Sequence, residues 1–149
     1  VHRQVEKCPR LSSPALVTVP VYSINGRKLT YKPGTEATEA ALKMARQYFL
    51  EQKQPERVHF IGRLQSYHGN TLGSLALGGH VPRKAPYLPI LAQNISHVSP
   101  CYPYRGQKEG ETDESYVTRL ANELEDEFQR VGPEKVCAFV AETMSGSVR

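Results

Sequence analysis

The chain reads as an α/β protein in which helices flank a mostly parallel sheet. Three features predict this: short apolar runs at residues 58–61 and 136–141, helical periodicity after Gly34 and across 112–131, and the alternation of the two patterns along the chain. Uninterrupted apolar runs suit strands covered on both faces, and strands separated by helices pair in parallel because each crossover lays a helix across the sheet.

Taken in order, residues 17–31 hold two strand-like runs around Asn25-Gly26, a dipeptide that accepts the positive φ angles of a tight turn. A small hairpin is expected there, within an N-terminal segment 1–33 that precedes a larger unit, 34–149. Gly34 opens the surest helix, whose apolar stripe reads as Ala37, Ala40, Ala41, Met44, Ala45 and Tyr48. Thr35 is expected to cap it, Glu36 and Glu39 to suit its positive end, and Lys53 with Pro55 to close it.

The run 58–61 is a buried strand, followed through Tyr67 by a weaker helical stretch near Leu72, Leu75 and Ala76. Five prolines between His80 and Gly110 break any long element, so this segment is expected to be mostly loop around one strand at 95–99. A long amphipathic helix then carries Tyr116, Val117, Leu120, Ala121, Leu124, Phe128 and Val131 on one stripe and stops at Gly132-Pro133. The hexapeptide 136–141 forms the last strand, with Glu142 at its end.

Composition narrows the functional classes. A net charge of +4 spread without blocks of like sign gives no electrostatic footprint for nucleic acid, and a mean hydropathy of -0.49 with no long apolar run leaves no membrane-spanning helix to propose. Cys8, Cys101 and Cys137 are odd in number and widely spaced, which suits neither a disulfide framework nor a zinc site and favours a reducing, cytoplasmic compartment, with a mitochondrial one also compatible. The histidines lack metal-ligand spacing, so no metal is expected.

Candidate site residues come from strand ends and a helix start. Gly34 and Thr35 can serve either as an ordinary helix start or as an anion site, where free N–H groups, a hydroxyl and the helix dipole meet a phosphate. Tyr67, with His68 and Gly69, offers either a flat face for a planar ligand or a core tyrosine. Glu142 reads as a group that orients a ligand or as a surface carboxylate. Ser66 and His68 do not make a hydrolase, since no G-x-S-x-G elbow and no orienting acid accompany them.

Three motifs in order, Gly34-Thr35-Glu36-Ala37-Thr38-Glu39-Ala40-Ala41, then Ser66-Tyr67-His68-Gly69-Asn70-Thr71, then Ala138-Phe139-Val140-Ala141-Glu142, resemble successive signatures of class III (omega-type) aminotransferases. The resemblance implies the fold type I architecture, pyridoxal 5'-phosphate as cofactor, amino donor and keto acceptor as substrates, and a homodimer. It also implies that Gly34 and Thr35 hold the cofactor phosphate, that Tyr67 stacks on the pyridine ring with His68 and Gly69 beside it, and that Glu142 lies close to the cofactor.

Family members continue to an aspartate that pairs with the pyridine nitrogen and to a lysine that bonds to the cofactor. This sequence stops at Arg149, and none of its lysines stands at a matching place. No catalytic residue is therefore expected within it, and the 149 residues are expected to be a fragment inactive alone, a non-catalytic binder of pyridoxal phosphate or another phosphorylated ligand, or an interaction fragment. Only Lys32 and Pro33 separate the expected hairpin from Gly34, which implies a missing internal segment.

Overall fold

The computed structural model describes residues 34–142. The hairpin expected at 17–31, the segment 1–33 with its implied gap, and residues 143–149 lie outside the described residues.

Strands β1 (His59–Arg63), β2 (Ile95–Val98) and β3 (Val136–Phe139) form one parallel sheet in the order β2-β1-β3. Phe60 pairs with Ile95 on one side and with Ala138 on the other, and a bulge between His59 and Phe60 lets β3 carry Cys137 as an extra residue. Central β1 is covered on both faces, so its alternate side chains enter two cores. Phe60 joins Ala45, Phe49, Leu77, Cys137 and Ala138, whereas Ile61 joins Val98, Phe128 and Val136.

Helices α1 (Gly34–Glu51) and α2 (Leu72–Leu77) cover the first face, and α5 (Asp113–Val131) covers the second. Lys53 adopts a left-handed φ of 57° and donates its N–H to Leu50 O, while Gln54 donates to Phe49 O, so the last turn of α1 closes on its own carbonyls. Thr112 caps α5 by accepting the Ser115 N–H at 3.2 Å. Gly132, at a φ of 98° that only glycine takes without strain, ends it.

Several expectations are corrected. The buried stripe of α1 is Leu42, Ala45 and Phe49, while Met44 and Tyr48 are 48% and 51% exposed. Alanine weights every helix face alike, and the leucine and phenylalanine decide which face turns inward. Thr35 lies inside the first turn of α1 and does not precede it as a cap. Val58 is exposed ahead of β1, β3 stops two residues early, and Val117 stands off the α5 core face.

The proline-rich stretch holds three short helical pieces besides β2: α3 (Val81–Lys84), a 3-10 helix (Ala85–Ile90) and α4 (Pro103–Gly106). Pro82, Pro86 and Pro103 sit in the first positions of these turns, where a proline's missing N–H has no intrahelical partner to lose. Arg57 is buried, and its guanidinium ties the end of α1 to β3. It donates to Pro133 O and Val136 O, each at 2.7 Å, and to Gln54 Oε1 at 2.5 Å, and it lies 4.8 Å from the Phe49 ring centroid.

Candidate functional site

The chain leaves β1 toward β2 on one side and returns to β3 on the other, so the carboxyl ends of β1 and β3 flank the point where the connections diverge. Ligands of open α/β sheets gather at that switch point. Tyr67, His68 and Gly69 follow β1, Glu142 follows β3, and the first turn of α1 brings Gly34 and Thr35 against them.

Hydrogen bonds hold these segments together. Glu142 Oε1 accepts the Tyr67 backbone N–H at 3.2 Å, and Arg63 reaches from the end of β1 to Glu142 O at 3.4 Å while its guanidinium lies 5.5 Å from the Phe139 ring. Buried Ser66 donates its hydroxyl to Arg63 O at 2.6 Å and accepts the Gly79 N–H at 3.1 Å, which fixes the turn that presents Tyr67.

Thr35 Oγ1 accepts the Asn70 N–H at 3.4 Å, and Thr38 donates to His68 O at 2.9 Å. Gly69 crosses at a φ of 130°, and a Cβ there would lie 2.8 Å from Thr35 Cβ and 2.9 Å from Thr35 Cα. The loop approaches α1 this closely because that position carries no side chain.

Each candidate residue has a distinct environment. A Cβ on Gly34 would meet nothing within 4 Å among the described residues. The first N–H groups of any α-helix have no intrahelical acceptor, and the helix dipole favours negative charge beside them. Tyr67 is 44% exposed, which removes the core-tyrosine alternative, and the Arg83 guanidinium stacks 4.9 Å from its ring centroid without an ion pair among the described residues.

His68 is half-buried, and its Nε2 has no hydrogen-bond partner among the described residues. Burial pushes its pKa below the ordinary 6.5, an effect the nearby Glu142 carboxylate opposes, so the imidazole is neutral at pH 7.

Sequence reasoning did not single out Thr38, Arg63 or Arg83. Thr38 had a usable signal, since it lies one turn beyond Thr35 on the same side of a helix. Arg63 and Arg83 reach the site only through tertiary placement. Among the described residues, no group of three His, Cys, Asp or Glu side chains is arranged to hold a metal ion, and no helix is long and apolar enough to cross a membrane.

Chemically, the hydrogen bonds bring a helix start that favours anions, the segment carrying an aromatic ring and a carboxylate close together. Comparison with known proteins gives that geometry a family. Residues 9–148 match the family model described as aminotransferase class-III. Over 114 residues the chain is 56% identical to an uncharacterized aminotransferase of Schizosaccharomyces pombe, covering 76% of this chain and 25% of that protein. It is 34% identical over 122 residues to the mitochondrial gamma-aminobutyrate transaminase 1 of Oryza sativa subsp. indica, covering 82% of this chain and 23% of that one.

Among solved structures, the omega transaminase of Pseudomonas jessenii in complex with PMP superposes with a TM-score of 0.73 at 31% identity, over 78% of this chain and 25% of that one. The chain thus spans about a quarter of the length of the curated relatives it matches. The parallel sheet with flanking helices is part of the fold type I architecture of these transaminases, and the chain belongs to the class III aminotransferase family.

Proposed function

We propose that residues 34–149 supply part of the large, cofactor-binding domain of an aminotransferase, and that the crevice between β1, β3 and α1 receives pyridoxal 5'-phosphate. Gly34 and Thr35 would take the phosphate, Tyr67 would lie against the pyridine ring, His68 and Gly69 would shape the loop behind it, and Glu142 would stand beside it. The observation that carries this reading is the convergence of Tyr67 and Glu142, joined by a 3.2 Å hydrogen bond, on the loop that packs against the first turn of α1.

The residues fit the group. Among the described residues nothing crowds Gly34 at the helix start whose N–H groups a phosphate would approach, and the tyrosine ring is exposed enough to accept a planar partner. When bound, pyridoxal 5'-phosphate supplies an electron-accepting ring for moving an amino group between an amino donor and a keto acid or aldehyde. This chain's own residues bind the phosphate and orient the ring, and the Glu142 carboxylate holds the Tyr67 backbone in place. Tyr67 stays fixed because Ser66 behind it is buried and bonded on both sides.

A homodimer is part of the proposal, as are the amino donor and keto acceptor of the intact protein. A cytoplasmic location is also proposed, supported by the free thiols of Cys101 and Cys137; fractionation tests it. The site itself is tested by titrating the purified chain with pyridoxal 5'-phosphate, following absorbance and tyrosine fluorescence with inorganic phosphate as competitor. Saturable binding displaced by phosphate is expected, and binding without turnover would assign these residues the holding role alone. A folded chain that binds no pyridoxal phosphate would overturn the reading.

A further inference from the structure

A carboxylate close to a phosphate-binding helix start works against anion binding, and α1 carries both Glu36 and Glu39 in its first two turns. The structure gives Glu39 a different task. Its Oε1 accepts the N–H of Ser74, in the first turn of α2, at 3.0 Å and the hydroxyl of Thr71, the residue just before that helix. Its negative charge therefore meets the positive end of α2 and satisfies an N–H that α2 cannot satisfy itself. Thr71 makes no side-chain cap to its own helix, so Glu39 supplies that cap from α1.

Gly73 is shaped around this contact. A Cβ there would lie 2.6 and 2.7 Å from the two carboxylate oxygens of Glu39, so the side chain occupies the volume a larger residue would need. The contact ends a continuous polar seam. Thr35 Oγ1 takes the Asn70 N–H, Thr38 donates to His68 O, Ser74 Oγ donates to Thr35 O at 3.3 Å, and Glu39 takes the two donors at the start of α2. Every link ties α1 to the segment that runs from Tyr67 into α2, and Glu39 is the charged link.

We infer that Glu39 is a positioning residue of the cofactor site, which holds the ring-stacking segment from Tyr67 to Thr71 in register with the helix start that takes the phosphate. This inference rests on the cofactor reading above. A two-part ligand needs both halves of its site at a fixed separation, and Glu39 helps the seam to fix that separation without itself being assigned a contact to the ligand. Glu39 should then matter for a ligand that has ring and phosphate together, and little for phosphate alone.

The test measures affinity of the purified chain for pyridoxal 5'-phosphate and, separately, for inorganic phosphate. Glu39→Ala should weaken pyridoxal phosphate roughly tenfold, in line with losing a charge-assisted cap. It should leave phosphate affinity within about threefold, because loosening the seam costs the joint geometry and spares the helix start. In a Tyr67→Ala background the effect of Glu39→Ala should largely vanish, since coupled residues are non-additive.

Glu39→Gln keeps an acceptor for the Ser74 N–H and should recover most of the affinity. Gly73→Ala, which pushes the carboxylate aside while leaving Glu39 in place, should reproduce the Glu39→Ala pattern and serves if that variant does not fold. Equal losses for both ligands, or losses that add to those of Tyr67→Ala, would overturn the inference and leave Glu39 a stabiliser of helix packing. A wild-type chain that binds no pyridoxal phosphate would overturn the cofactor reading and the inference with it, which separates the two failures.

Discussion

Gly69→Ala tests the closest approach in the site. Two costs arise from the structure. At a φ of 130° an alanine is held in a region essentially reserved for glycine, at about 1–3 kcal/mol. The new methyl would also lie 2.8 Å from Thr35 Cβ and 2.9 Å from Thr35 Cα, and forced overpacking of this kind costs about 1–3 kcal/mol. Thr35 Cα is helix backbone, so a side-chain rotation cannot relieve the second term, and the two together come to about 2–6 kcal/mol.

Urea denaturation followed by far-ultraviolet circular dichroism measures this loss. With a slope of about 1–3 kcal/mol per molar urea, the midpoint should fall by at least about 0.7 M. If α1 yields instead of unfolding, the midpoint moves less, but the first turn of α1 separates from the loop and pyridoxal phosphate affinity falls with it. A Gly69→Ala chain with both midpoint and affinity unchanged would refute the reasoning, because the backbone would then have found a way to accept a side chain where none fits.

Other perturbations follow from the same contacts. Arg57→Met keeps the buried stem but removes the donors to Pro133 O, Val136 O and Gln54; a loss of about 1–3 kcal/mol is expected, chiefly from the stranded buried carbonyl of Val136, and an unchanged urea midpoint would contradict it. Burial lowers the pKa of His59, His68 and His97 below 6.5. Below that value the unfolded chain binds more protons than the folded one, so stability should be full above pH 6.5 and decline as pH falls further. His68→Asn and His97→Asn should each flatten the decline between about pH 6.5 and 5.5, a window above ordinary carboxylate titration. Burial raises the Cys137 thiol to about 11, whereas Cys101 is exposed; with Cys8 replaced by Ser, a thiol reagent at pH 8 should modify one cysteine in the native chain and two in urea.

Much of the fold was legible because it depends on local pattern. The helix stripe Tyr116, Leu124, Phe128 and Val131 and the apolar hexapeptide after it carry their own period, and their neighbours in the chain decide their type. The short helical turns between His80 and Gly106 were hidden because prolines that forbid a long helix are well suited to begin a short one. The end of β3 was misjudged because Val140 and Ala141 are as apolar as the residues before them, and pairing with the short β1 sets the limit.

Of the candidate site, the sequence singled out Gly34, Thr35, Tyr67 and Glu142, while most of the hydrogen bonds that bring them together were not legible. The difference lies in the orientation of α1, which alanines left undetermined. Once Leu42, Ala45 and Phe49 turn toward the sheet, Thr35 and Thr38 fall on the same stripe, seven and four residues before Leu42. That stripe is apolar where it meets strands, whose backbone groups are already paired, and polar where it meets the loop 68–70, whose N–H and C=O groups need partners. The burial of Phe49 at one end of the helix and the hydrogen bonds of Thr35 and Thr38 at the other are therefore consequences of one rotation about its axis. A sequence reading that had ranked leucine and phenylalanine above alanine would have recovered the core face and the seam together.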